Sequence, residues 1–257
     1  MSRAERSELR REGSGVSQPD KRQPRREDGD AASGARPGFA RALTAEWRKL
    51  ASLASTWLTC AATAVLAALV AGSLAPRPDQ AGQAVRSVAD VAAAGFIVLG
   101  ALASTGEHAG GQIHRSLLCL PRRGRLLAAK AAVTVCLGGV LAAVTMLACA
   151  WAAGLPASRW AFVVAGCIHL TALAAIAAAV GVILRGPVAS LGTALVCLVV
   201  APPLLRWSVL PTVIGQGAME AALDGDGSAA AARIAALAAW TLAVWAVAAA
   251  HFMRTDA

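Results

Sequence analysis

Few residues in this chain have the chemistry to act on a ligand, and their placement is telling. The four histidines, His108, His114, His169 and His251, are scattered, with no pair of carboxylates beside them to complete a metal site. The six cysteines are Cys60, Cys119, Cys136, Cys149, Cys167 and Cys197; none sits in a CxxC pair, and five lie within apolar runs. They read as small packing residues, with neither a disulfide framework nor a zinc site. No GxxxxGK[ST], HExxH or GxSxG occurs, so there is no phosphate-cradling loop, zinc-protease helix or nucleophile elbow. The remaining candidates are ionisable groups in apolar surroundings. Asp90 falls near the start of one apolar run and can reach water there. His169 lies well inside another, and is expected to donate to a backbone carbonyl as a packing histidine, with a proton relay as the alternative. His251 falls near an apolar end.

The elements that must position these groups are apolar helices. The chain of 257 residues is 57% hydrophobic and only 15% charged, with a mean hydropathy of +0.58. Soluble domains carry about 25% charged residues. Nineteen of the 39 charges are spread over residues 55–257, and the rest crowd into the first 50 residues. Apolar runs bounded by charges or breakers predict six spans, at 55–75, 88–105, 126–155, 160–184, 187–205 and 234–252. Each approaches the ~20 residues needed to cross about 30 Å of hydrocarbon. A soluble enzyme with one packed core is excluded, and the fold class expected is an all-α polytopic membrane protein.

Residues 1–37 differ in kind. They mix Lys and Arg with acids, are rich in Ser, Gly and Pro, and lack apolar periodicity, so they are expected to be a disordered cytoplasmic tail. The net charge of +9 belongs largely to this tail and to the loops, and no nucleic-acid partner is inferred. No export signal is read: Arg10-Arg11 and Arg25-Arg26 lack a following apolar region. The run before Ser73-Leu74-Ala75 is longer than a signal peptide allows. With the N-terminus inside, nineteen Lys and Arg fall on the cytoplasmic side and five outside, namely Arg77, Arg86, Arg159, Arg206 and Arg233. The positive-inside rule therefore predicts both termini in the cytoplasm. Trp57, Trp151, Trp160 and Trp207 fall at span edges, where indole prefers to sit.

Two segments on the predicted cytoplasmic side are distinctive. Within 38–54, Phe39, Leu43, Trp47 and Leu50 recur on one helical face, with Arg41, Arg48 and Lys49 elsewhere. This is the pattern of a basic amphipathic helix lying in the membrane interface; a straight extension of the first span is the alternative. In the loop 106–125, Gly110-Gly111 breaks the exit of span two. Ile113, Leu117 and Leu120 then line one side of a short helix that Pro121 ends. Such an apolar ridge must lie back on lipid or dock on a partner.

These two segments, in this order, resemble the ABC-2 type transporter permease family, especially its actinobacterial six-span members. Glu46, Trp47, Lys49 and Leu50 match the family's pre-membrane Glu-Trp-x-Lys-Leu. Glu107, His108, Gly111, Gln112 and Ile113 fill its pattern after the second span, and Leu117, Pro121, Arg123, Ala129 and Lys130 follow in register. The chain departs from the pattern at His108, Ala109 and Gln112. The resemblance implies a permease subunit of an exporter in the bacterial plasma membrane, working as a homodimer or a heterodimer with a second permease. It binds no cofactor itself: ATP would be bound by a separate P-loop ABC ATPase subunit. The loop carrying Glu107, Gly111, Ile113, Leu117, Leu120, Pro121 and Arg123 would be where that ATPase docks. The resemblance also implies short external helices within 207–233, for which an irregular loop is the alternative. The competing class is a stand-alone membrane protein, either a small secondary transporter or an immunity or accessory protein. Residues 55–155 and 160–252 show no repeat, and no acid lies near a midplane, as a secondary transporter would require.

Overall fold

The computed structural model describes residues 39–52, 54–74, 81–109, 123–205 and 210–255. All regular structure among them is helical. Helix α1 is Phe39–Ser52, α2 is Ala54–Leu74, α3 is Ala81–Ala109 and α4 is Arg123–Ala152. A short 3-10 turn at Ala157–Arg159 leads into α5, Trp160–Leu184. Helix α6 comprises Pro187–Leu195, a π turn Val196–Val200 and Ala201–Leu205. Helices α7, Pro211–Asp224, and α8, Gly227–Thr255, complete the chain.

Five helices are long and apolar enough to cross a membrane, the character of a multi-pass membrane protein: α2, α3, α4, α5 with its preceding turn, and α8. Their burial sorts them into centre and rim. The apolar stretch of α5 is 67% buried inside the protein, that of α2 17% and that of α8 11%. Helix α5 is apolar on every face, as a central helix must be, and it packs on α3, α4, α7 and α8. Small residues let α3 and α5 approach closely. At Gly100 even a Cβ would overlap the Ala174 carbonyl oxygen, and one at Gly181 would overlap the Ser104 hydroxyl. Gly138 and Gly139 of α4 make no comparable approach; a Cβ at Gly138 would meet Ala174 at an ordinary 3.5 Å.

The sequence-predicted fifth span is where structure and expectation part. The run 187–205 is helical throughout, but its regular α-helix ends at Leu195 and a π turn, Val196–Val200, interrupts it. The physical cause is Pro202-Pro203. A proline has no N–H to give the carbonyl four residues back, so the ladder above it is disturbed. The turn widens, and Ala201 N–H reaches the Val196 carbonyl five residues back. The Leu198 carbonyl, orphaned by Pro202, accepts the Thr212 hydroxyl of α7 at 2.6 Å. That bond ties the broken helix to the next element.

Other boundaries move modestly. The third span, expected to reach residue 155, ends as a helix at Ala152, and Gly154 turns at φ 67° ahead of Pro156. The second begins at Ala81 and the last at Gly227, each well before its apolar core. Asp226 explains the latter start: its carboxylate accepts the Ala229 N–H at 2.9 Å and the Ser228 hydroxyl at 2.7 Å, the geometry of a helix N-cap.

Candidate functional site

Two polar assemblies stand out in an apolar bundle, one at each end. The first lies where α1, the C-terminal part of α3 and the start of α4 meet. Helix α1 packs on α4 with Leu43, Glu46 and Leu50 turned inward: Leu50 is buried, Leu43 packs against the core, and Glu46 is only 4% exposed. Phe39 and Trp47 flank this face and remain exposed. The apolar stripe expected to lie in lipid is thus divided between protein and surroundings. A carboxylate sits at the centre of the protein-facing half.

A buried carboxylate must be paired or protonated. Glu46 has a lysine at each oxygen: Lys49 Nζ donates to Oε1 at 2.9 Å, and Lys130 Nζ lies 3.8 Å from Oε2. Lys130 is 7% exposed and also donates to the Ala103 carbonyl of α3 at 3.4 Å. One turn further on, the Thr134 hydroxyl accommodates itself by donating to the Lys130 carbonyl at 2.9 Å. Lys130 therefore links three helices. Leu126 and Ala129, on the same turn of α4, are also buried. Glu46 and Lys130 come from the two separate segments of the sequence that carry the family resemblance, and the fold places them in one ion pair.

The loop predicted to dock on a partner falls mostly outside the described residues. Gly111, Ile113, Leu117, Leu120 and Pro121 lie there, as does Gln112. Glu107 is in the last turns of α3, and Arg123 begins α4. Both ends of the loop, Ala109 and Arg123, belong to the two helices that meet at Lys130.

The second assembly surrounds α7 at the opposite end. Gln216 Nε2 donates to Asp90 Oδ1 of α3 at 2.8 Å, and Glu220 pairs with Arg86 one turn earlier on α3. Arg233 of α8 donates to the Gly217 carbonyl, and Arg159 donates to that of Leu223. Asp90, expected to reach water, is partly exposed and is also held by α7. Gly225, at φ 82°, ends α7 in the left-handed conformation that glycine adopts without strain. The segment 207–233 therefore contains a packed helix rather than an irregular loop, with Met219 fully buried.

His169 of α5 meets this helix. It is fully buried, and neither ring nitrogen has a hydrogen-bond partner among the described residues. The expected bond to a backbone carbonyl is not made. The ring lies against Gly215 of α7, so closely that a Cβ there would overlap Nδ1. The signal in the sequence was Gly215-x-Gly217, two glycines in a helix with no turn to make.

Among the described residues no group of His, Cys, Asp and Glu could hold a metal ion. Neither assembly has a nucleophile beside a base. What they can do is position helices: the first fixes the stems of the 110–122 segment, and the second fixes α7. No known family, curated protein or solved structure matches this chain.

Proposed function

We propose that this chain is the membrane-spanning permease subunit of an ABC-2 type exporter, driven by a separate P-loop ATPase that docks on residues 107–123. The observation that carries the reading is the buried pairing of Glu46 with Lys130. A docking loop can transmit force only if its stems are rigidly joined to the helices that must move. Here one lysine joins the stem of α4 to α3 and to the pre-membrane helix α1. A stand-alone membrane protein has no call for a buried charge pair at the root of a loop bearing an apolar ridge. Removing such charges in favour of well-packed apolar groups is often neutral or stabilising.

In this reading α6 is a sixth span, since 187–205 at 1.5 Å per residue extends ~28 Å. Both termini then face the cytoplasm of a bacterial cell, and two permeases associate in the plasma membrane. Nucleotide-driven closure of the ATPase pair shifts the permease between two states through the α1, α3 and α4 corner. The test is affinity purification of the full-length chain from its native membrane, with partners identified by mass. An ABC ATPase should co-purify with the wild type. Leu117→Asp, which puts a charge on the docking ridge, should release it while the permease still inserts. Arg123→Glu should weaken it in a salt-dependent way. Absence of any P-loop protein from the wild-type preparation would refute the assignment and leave the stand-alone reading.

A further inference from the structure

Helix α8 packs on α5 and α7 but touches α4 only lightly, and a furrow runs between α4 and α8. It has two compartments, of about 490 and 510 Å³, which share Val135, Thr241 and Leu242. The furrow begins beside Gly139 and Leu237, passes Ala131 and Trp245, and ends at Gly124, Phe252 and Met253. Among the described residues, no charged side chain lines it. From Leu237 to Met253 it extends ~24 Å along the helix, at 1.5 Å per residue. Half of a hydrocarbon core is about 15 Å. An apolar furrow of this shape forfeits dispersion contacts along its whole length unless a long, thin apolar body fills it.

The mouth of the furrow, at the α1 end, is positive. Arg254 is exposed in the last turn of α8, next to Met253. Across from it, the first turn of α4 contains no acid and presents the positive end of a helix dipole. The one acid close in sequence is Asp256, just past the described residues. The charge therefore complements an anionic headgroup. It opposes a second copy of this chain seated about an axis along the membrane normal, which would bring the same arginine of each copy face to face.

We propose that the furrow between α4 and α8 is a binding site for one anionic bilayer phospholipid, with a long acyl chain lying in the furrow and the phosphate at Arg254. The site is independent of the transporter reading, because it rests on the furrow and its charged mouth alone.

The experiment is native mass spectrometry of the full-length chain, purified in mild detergent and exposed to defined lipids. Dioleoyl phosphatidylglycerol should be retained, one per chain, at least fivefold over dioleoyl phosphatidylcholine and over the twelve-carbon phosphatidylglycerol. Gly139→Leu and Ala246→Phe fill the furrow at two depths and should each cut retention at least fivefold. Val144→Phe, on an exposed part of α4 outside the furrow, should leave it unchanged. Arg254→Glu alters only an exposed side chain, so folding is not at issue, and it should remove most of the headgroup preference. Three results would overturn the proposal. They are wild-type retention in both furrow-filling variants, an undiminished preference in Arg254→Glu, and furrow-filling variants that lose a protein dimer rather than a lipid.

Discussion

Removing Lys130 should cost less than removing Glu46, and the difference follows from the geometry of the α1 corner. Two unit charges 3.8 Å apart attract by about 4 kcal/mol at an effective dielectric of about 20. Desolvation of both groups offsets most of that, so the pair adds little net stability as a whole. Deleting one member alone strands the other, which typically costs about 3–5 kcal/mol. Lys130→Met leaves Glu46 with Lys49 still on Oε1 at 2.9 Å, so the loss should fall below that range, at about 2 kcal/mol. Glu46→Gln takes the carboxylate from both lysines and leaves Lys130 in its buried setting, so about 3 kcal/mol is expected. The double variant should lose less than the two losses combined, with a coupling of about 1–3 kcal/mol. Reversible unfolding in mixed micelles, followed by helix signal against denaturing detergent, measures all four corners of the cycle. Single-variant effects within about 0.5 kcal/mol of wild type, or strict additivity, would refute the claim that these charges are buried together.

Gly215→Ala should destabilise by about 1–3 kcal/mol through overpacking against His169, and adding His169→Ala should recover most of that loss, which the same unfolding assay reads. Asp226→Ala should leave the Ala229 N–H without its acceptor, seen as faster amide hydrogen exchange at 227–230 with α7 unchanged. The backbone N–H of Ala229, helped by the Ser228 hydroxyl, holds the Asp226 carboxyl below its usual range. Its contribution to the α8 cap is therefore present above the unfolded value of ~3.9 and is lost as pH falls through the lower folded value; loss beginning well above that would contradict the cap. For topology, Ser228→Cys and Gly124→Cys suit labelling, because both positions are exposed and no atom lies within 4 Å of a Cβ at Gly124. Gly225 would strain at φ 82°, and a side chain at Gly82 would press on Leu223. In a background without other cysteines, an impermeant thiol reagent should label Ser228→Cys in intact cells and Gly124→Cys only after permeabilisation; the reverse would invert the proposed orientation.

The helices were legible because their signal is additive. Long runs of Ala, Leu and Val sum to a clear preference, and α2 to α5 and α8 emerge with cores close to those expected. What was not legible depends on single residues acting out of register. Pro202-Pro203 falls inside the expected run 187–205 without changing its hydropathy much, yet the loss of two N–H donors in succession opens a π turn and shortens the regular helix. Asp226 adds nothing to the apolar pattern, but as a cap it starts α8 seven residues before that pattern does. Helix starts set by one side chain leave no trace in hydropathy.

The polar assemblies show a further limit, and a way past it. Periodicity assigned Phe39, Leu43, Trp47 and Leu50 to one face and passed over Glu46, which lies between them on the same face. An acid inside an apolar stripe is costly to bury alone, so its presence there demands a cation from elsewhere in the chain. The candidate was visible: Lys130 stands inside an apolar run, where a lone charge is equally costly. Two misplaced charges of opposite sign, in segments predicted to lie on the same side, identify each other as partners. The same logic pairs Asp90 on α3 with a donor on α7, though there the donor is the amide of Gln216, which carries no charge to betray it. Charge balance within the apolar segments thus locates ion pairs from sequence, while neutral hydrogen bonds and unpartnered groups such as His169 need the packed helices to be seen. Glu46 and Lys130 would be found again by this rule even with every family motif ignored.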